Sequence, residues 1–298
     1  MYDVIIIGAG PAGLTAGLYA SRAGKSVLVF EGAVFGGQIS QSAEVENYPA
    51  VKKISGAEFT ANLMAQAKAF GCEIKTERVL SVADGKIKTV TTRKGNYEAE
   101  SIIFALGTKP KSGNIENEQQ YIGRGLSYCA VCDGNFFRNR TVAVVGGGNT
   151  ALHDALYLSE ICAKVYLIHR RSVFRGEERL QRQIKERDNI ELVLESVPVS
   201  LSGKPLLAEI TVENVNTKER TALQTNAVFL AIGQQPQTAE FSDILPLDEY
   251  GYVIADEGCK VRDGIYVAGD CRQKSVRQLT TAVADGTVAG TAASLLQK

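Results

Sequence analysis

DVIIIGAGPAG at residues 3–13 and TVAVVGGGNTA at residues 141–151 are one design written twice, and the fold follows from that repetition. In each, a run of β-branched and small apolar residues enters a glycine turn, and a helical pattern follows. Asp3 to Ile7 leads into Gly8-Ala9-Gly10-Pro11-Ala12-Gly13, a helix to about Ala23, and a second strand from Ser26 to Glu31. Thr141 to Val145 leads into Gly146-Gly147-Gly148-Asn149-Thr150-Ala151, a helix to about Ile161, and a strand from Lys164 to His169. The copies align without a gap: Gly146 follows Gly8, Tyr157 follows Tyr19, and His169 follows Glu31 by the same 138 residues. Each copy reads as a βαβ unit.

The glycines have the same task in both copies. The first permits a tight turn, the second lets the backbone approach a pyrophosphate, and the third, alanine in the second copy, lets helix and strand pack closely. The helix N-terminus then offers unpaired N–H groups and a partial positive charge to the phosphates. A single fingerprint is weak, because an ordinary strand-turn-helix uses the same residues; two in register are much stronger. The end of the second strand discriminates between nucleotides. Glu31 can accept hydrogen bonds from ribose hydroxyls and repels a 2′-phosphate, so FAD or NAD fits the first unit. In the second unit His169 is followed by Arg170, Arg171 and Arg175, guanidinium groups suited to a 2′-phosphate, and NADPH fits best. The competing reading of HRRSVFR is a solvated helix start.

At 298 residues the chain is long enough for two domains. Gly264-Ile-Tyr-Val-Ala-Gly269-Asp270 reads as a short buried strand ending in a glycine and a carboxylate, before a helix from Thr280 to Leu296. Asp270 there can bind the ribityl or phosphate region of a flavin, which makes the first domain discontinuous. The expected fold is α/β: two Rossmann-like three-layer nucleotide-binding domains, the second inserted into the first, with parts at 1–112, 113–239 and 240–298. Gly-rich connections near 107–125 and 233–240 are the candidate hinges. A formal net charge of +0, from 33 basic and 33 acidic side chains, argues against a nucleic-acid or polybasic membrane surface. No apolar run approaches a membrane span and the N-terminus carries no targeting pattern, so a cytoplasmic protein is expected.

Of six cysteines, only Cys129 and Cys132 are paired by spacing. Two cysteines three apart in a turn can bridge reversibly, and the spacing favours a reactive thiolate. Asp133 beside them can accept or donate the proton of each thiolate step. A zinc site needs two more ligands, and the chain has no second CxxC and only His153 and His169, so no metal is expected. A buried, inert pair is the other alternative. Cys72, Cys162 and Cys271 read as packing residues.

The sequence resembles the low-molecular-weight thioredoxin reductases along its whole length. The resemblance is carried by Cys129-Ala-Val-Cys132-Asp133-Gly134, Gly146 to Ala151, and His169 to Arg175, with support from Gly36-Gly37-Gln38, Val45-Glu-Asn47-Tyr-Pro49, Gly269-Asp270 and Arg277-Gln278. It implies transfer of electrons from NADPH through FAD and the Cys129/Cys132 disulfide to a thioredoxin. Cys132 would face the flavin, Cys129 would attack the substrate disulfide, and the enzyme would be a homodimer with a rotating nucleotide domain. By the same resemblance Gly36, Gly37, Gln38, Asn47, Arg277 and Gln278 join Gly8, Gly10, Pro11, Ala12, Gly13, Glu31, Gly269 and Asp270 as FAD-binding residues. Gly146, Gly148, Asn149, Thr150, His169, Arg170, Arg171 and Arg175 form the NADPH set. Four residues at three places depart from the family pattern. His153-Asp154 stands where it has a glutamate pair, Leu279 where it has alanine, and Asp285 lies in the terminal helix near the expected flavin ring. A related group takes electrons from ferredoxin and typically lacks the second glycine and arginine signatures. Ferredoxin is the alternative donor, and another disulfide the alternative acceptor.

Overall fold

A strand whose side chains are apolar on both faces needs cover above and below, and β1 (Tyr2–Ile7) has it: Val4, Ile5 and Ile6 are fully buried. The computed structural model describes residues 1–33, 35–42 and 44–295. From β1 the chain turns through Gly8 into α1 (Pro11–Arg22), with proline in its first turn where no intrahelical N–H is lost. It returns as β2 (Val27–Glu31), parallel to β1 with Ile7 opposite Phe30. The helix α2 (Gly56–Ala69) starts at Ser55, whose hydroxyl accepts from the Glu58 N–H at 3.1 Å. It delivers β3 (Glu73–Thr76) beside β2. A hairpin of β4 (Val79–Ala83) and β5 (Lys88–Thr92) then leads into β6 (Gly95–Phe104), antiparallel to β5 and parallel to β1.

The chain leaves through β7 (Thr108–Pro110) and builds a second unit, residues 110–234. There α3 (Glu118–Tyr121), β8 (Leu126–Ser127) and α4 (Ala130–Asp133) precede the second βαβ: β9 (Thr141–Val145), α5 (Asn149–Ile161) and β10 (Lys164–Ile168). After α6 (Glu178–Lys185) and β11 (Ile190–Val193), three antiparallel strands follow: β12 (Ser196–Ser202), β13 (Glu209–Asn214) and β14 (Arg220–Gln224). Finally β15 (Ala227–Leu230) inserts beside β9, giving a parallel sheet in the order β11-β10-β9-β15-β8. The return through β16 (Gln234–Pro236) leads to β17 (Lys260–Arg262), β18 (Ile265–Val267) and α7 (Leu279–Ser294). They complete the first unit, whose sheet runs β17-β18-β6-β1-β2-β3 with the β4-β5 hairpin joined through β6. Leu296, where the sequence places the end of the last helix, lies outside the described residues.

The internal repeat extends well beyond βαβ. In each unit the fingerprint strand lies between the strand that follows it and a later parallel strand: β1 between β2 and β6, β9 between β10 and β15. In each, one sheet face is covered by helices and the other by antiparallel β-structure. Val4, Ile6 and Val29 pack with α1 and α7, while Ile5, Ile7 and Phe30 pack with the β4-β5 hairpin and Phe241 to Val253. Val142 and Val144 pack with α5 and α6, while Ala143 and Val145 pack with Leu201, Ile210 and Val212 of the meander. The three layers are therefore helix, sheet and antiparallel sheet. The units divide at 109/110 and 234/235, where the sequence reading places 112/113 and 239/240. Backbone pairing accounts for the shift. The Lys111 N–H donates to the Gly233 carbonyl inside the insert, whereas Gln237 and Thr238 bond to Gly107 and Gly251 of the first unit.

Candidate functional site

In the first unit the glycine turn is shaped by contacts that exclude side chains. Gly8 has φ +110°, and a Cβ on Gly13 would lie 1.9 Å from the Gly8 carbonyl oxygen. A Cβ on Gly10 would meet no atom within 4 Å, and no side chain caps the N-terminus of α1. The turn is thus closed on the protein side and open at the helix N-terminus. Gly13→Ala is expected to cost roughly 1–3 kcal/mol through overpacking, read from the denaturation midpoint of the cofactor-free protein. Gly10→Ala should leave that midpoint unchanged and weaken only dinucleotide binding.

The tertiary structure brings some of the other expected residues to this turn and joins others to one another. The Glu31 carboxylate accepts from the N–H groups of Ala9 and Ala33, each at 2.9 Å, so it supports the turn from the end of β2. Gly36, at φ +91°, donates its N–H to the Ala9 carbonyl at 2.9 Å, and Gly37 abuts the Gly10 backbone. The Gln38 amide donates to the carbonyl and hydroxyl of Thr108, a residue that sequence reasoning missed. Asn47 donates to the Gln278 side chain at 3.2 Å across 231 residues of chain. Gln278 also caps α7 through a reciprocal bond with Thr281. Gly269, at φ +81°, lies against Ala12: a Cβ there would be 2.8 Å from that of Ala12. Beside it Asp270 presents a buried Oδ1 with no hydrogen-bond partner among the described residues. Burial pushes its carboxyl up, against the opposing charges of Lys274 and Arg277. Arg277 itself is a brace, donating to the Asp270 carbonyl at 3.1 Å and lying 3.9 Å over the Tyr252 ring.

The second unit repeats the turn. Gly146 has φ +155°, a Cβ on Gly148 would meet open space, and no side chain caps α5. The HRRSVFR segment folds back on this turn, because the N–H groups of Arg175 and Gly176 both donate to the Gly147 carbonyl. Arg170, Arg171 and Arg175 are exposed and form no ion pair among the described residues. His169 plays a different part from theirs. Its ring is buried under Gly147, donates from Nε2 to the Val173 carbonyl at 3.2 Å and stacks on Phe174. Burial and the three neighbouring arginines hold its pKa down, so it is neutral at pH 7 and supports the loop without adding charge. Asn149 is likewise committed, exchanging two hydrogen bonds with Glu177, while Thr150 is exposed.

Cys129 and Cys132 are joined as a disulfide at the start of α4, with Cα atoms 5.3 Å apart, and both are half-buried. The sulfur of Cys129 accepts from the Cys132 N–H at 3.2 Å, an N-cap arrangement that favours negative charge on that sulfur when the bridge opens. Asp133 accepts from the buried Ser127 hydroxyl at 2.5 Å, and Ser127 also accepts from the Cys129 N–H at 3.1 Å. Burial raises the Asp133 carboxyl above its ordinary value, with the Ser127 bond opposing it. No sequence spacing singles out Ser127, because only the fold places β8 against this turn. The free cysteines Cys72, Cys162, Cys259 and Cys271 are buried; burial pushes the Cys259 thiol up to about 12 and the other three to about 11, as befits unreactive packing groups.

At the first departure from the family pattern, burial alone raises Asp154 to about 7. The folded-state value lies above the ordinary 3.8, so the folded state binds the proton more tightly. Stability is then greatest below about pH 4 for this group and falls as pH rises through 7. Asp154→Asn should remove that fall, a gain on the order of a few kcal/mol above pH 7, seen in unfolding midpoints measured from pH 5 to 8. Equal pH slopes for both proteins would contradict it.

The model of the pyridine nucleotide-disulphide oxidoreductase family matches residues 2–286. The chain is 40% identical over 294 residues to the thioredoxin reductase of Listeria monocytogenes, covering 97% of this chain and 92% of that one. It is equally identical to the bifunctional thioredoxin reductase/thioredoxin of Mycobacterium leprae, where it spans 64% of the relative's length. The crystal structure of thioredoxin reductase from Streptococcus pyogenes superposes with a TM-score of 0.93 at 38% identity, covering 98% of this chain and 97% of that one.

Proposed function

Because this chain belongs to the pyridine nucleotide-disulphide oxidoreductase family, we propose that it is a thioredoxin-disulfide reductase, moving electrons from NADPH through FAD and the Cys129/Cys132 disulfide to a thioredoxin. The observation that carries this reading is the disulfide itself, closed at the start of α4 beside a half-buried carboxyl, in the same unit as a glycine turn flanked by three arginines that form no ion pair among the described residues.

FAD fits the first unit. The buried Asp270 Oδ1 lacks a donor among the described residues that a ribityl hydroxyl supplies, the open space at Gly10 admits a pyrophosphate, and Asn47 and Gln278 bond to each other. Pro11, Ala12, Gly13, Glu31, Gly36, Gly37 and Gln38 line or support that cradle, with Gly269 and Arg277 holding Asp270 in place. Bound there, FAD supplies a two-electron relay between a hydride donor and a disulfide. In the second unit Gly146, Gly148, Asn149 and Thr150 form the pyrophosphate turn for NADPH. Arg170, Arg171 and Arg175 hold the 2′-phosphate over the buried His169.

Two electrons and two protons convert the Cys129/Cys132 disulfide to a dithiol. The Cys129 thiolate attacks one sulfur of an oxidised thioredoxin, the partner's other sulfur leaves as a thiolate, and a mixed disulfide forms. Cys132 then attacks Cys129, the bond to the partner breaks, and the internal disulfide is restored with two electrons delivered. Asp133, raised by burial and paired with Ser127, gives a proton to each departing thiolate and takes one from each attacking thiol. Val131 and Phe136, exposed on either side of Cys132, offer apolar contact to a protein partner. The active species on this reading is a cytoplasmic homodimer; no helix among the described residues is long and apolar enough to cross a membrane.

The test is to mix oxygen-free protein with NADPH, follow the flavin absorbance, and then add oxidised thioredoxin. Bleaching by NADPH followed by recovery on adding thioredoxin is expected. A flavin left oxidised by NADPH and bleached by reduced ferredoxin would overturn the donor assignment.

A further inference from the structure

Two carboxylates with buried oxygens, Asp270 before α7 and Asp285 within it, are treated in opposite ways. Asp285 receives four donors: the Gly269 N–H at 3.0 Å, Arg272 Nε at 3.0 Å and Nη2 at 2.9 Å, and Lys274 Nζ at 2.9 Å. Asp270 Oδ1 receives none among the described residues. Burial pushes Asp285 up, but Arg272 and Lys274 bring it below the ordinary carboxylate range, so it is ionised. The Lys274 side chain is 9% exposed, and an ammonium that dry needs a carboxylate. Asp285 and Asp270 are both within its electrostatic reach.

We propose that Asp285 is a positioning residue for FAD: by holding Lys274 it keeps that ammonium off Asp270, leaving the Asp270 carboxylate to accept from a hydroxyl of the cofactor. The inference rests on the reading that Asp270 faces FAD. It adds the reason that Asp270 stays vacant although a buried lysine lies four residues along the chain. The same carboxylate fixes the turn itself, since it bonds the Gly269 N–H, and its neighbour Gly286 packs so closely on α1 that a Cβ there would lie 2.3 Å from the Ala12 carbonyl oxygen. Asp285 therefore sits on a part of α7 whose position against the dinucleotide helix is fixed. Without the Asp285 charge, Asp270 remains a carboxylate within the electrostatic reach of Lys274, and a Lys274–Asp270 pair would occupy the oxygen that the cofactor needs.

The consequence is a rescue by the second substitution that loss of packing alone would not produce. Apoprotein is titrated with FAD and its fluorescence quenching followed for the wild type, Asp285→Asn, Lys274→Met and the double variant. Asp285→Asn should bind FAD at least about tenfold more weakly, the scale of one hydrogen bond involving a charged group. Lys274→Met should bind as the wild type does, and the double variant should return to within about threefold of it. Wild-type affinity in Asp285→Asn, or a double variant as weak as that single one, would overturn the proposal. Should Asp285→Asn not fold, the double variant decides alone: near-wild-type affinity supports the proposal and weak binding sinks it. A wild-type apoprotein that takes up no FAD would instead defeat the underlying cofactor reading.

Discussion

Cys129→Ser is expected to lower NADPH-dependent reduction of a thioredoxin by on the order of 10³-fold or more, with FAD still bound and still bleached by NADPH. A serine hydroxyl at neutral pH offers almost no oxyanion, and oxygen cannot form the mixed disulfide through which exchange proceeds. The rest of the site is untouched, because the Cys129 backbone N–H keeps its bond to Ser127 and α4 keeps its place. Cys132→Ser should be equally inactive toward the protein acceptor, since neither variant can close the internal disulfide. Steady-state NADPH oxidation with oxidised thioredoxin, alongside anaerobic flavin spectra, separates the two half-reactions. Turnover near the wild-type rate in either variant would make the dithiol a bystander.

Replacing Arg170, Arg171 and Arg175 together with alanine should raise KM for NADPH by roughly 100-fold, leave kcat nearly unchanged, and leave the weak reaction with NADH where it was. None of the three guanidinium groups forms an ion pair among the described residues, and the backbone bonds from Arg175 and Gly176 to Gly147 hold the segment against the glycine turn. Their exposure moderates the effect and makes it salt-dependent, so the gap between variant and wild type should narrow at high ionic strength. The effect belongs in KM because a 2′-phosphate is far from the hydride and is held alike in ground and transition states. Equal KM values for NADPH and NADH in the wild type would remove the basis for assigning these arginines.

His169 and Arg277 show how far residue type and spacing carry. Both fall in segments that the sequence marks for cofactor binding, and the fold brings both segments to glycine turns. The His169 ring, however, is buried and neutral beneath Gly147, and the Arg277 guanidinium is spent on the Asp270 carbonyl and the Tyr252 ring. Spacing reports which backbone segment approaches a site. It does not report which way a long side chain turns, because that depends on acceptors supplied by other segments.

The sequence by itself determined the two βαβ units, their glycine turns, the insertion of one nucleotide-binding domain into another, and the cysteine pair. Each is written in local periodicity or in steric needs that a single short segment expresses, such as the open space required at Gly10 and Gly148. Only the tertiary structure decided the antiparallel layer covering each parallel sheet, the Ser127–Asp133 pair, the Asn47–Gln278 contact, and the division of donors between Asp285 and Asp270. Those depend on groups six to more than two hundred residues apart being brought together by the fold, where the choice of partner is set by which donors the folded chain leaves within reach.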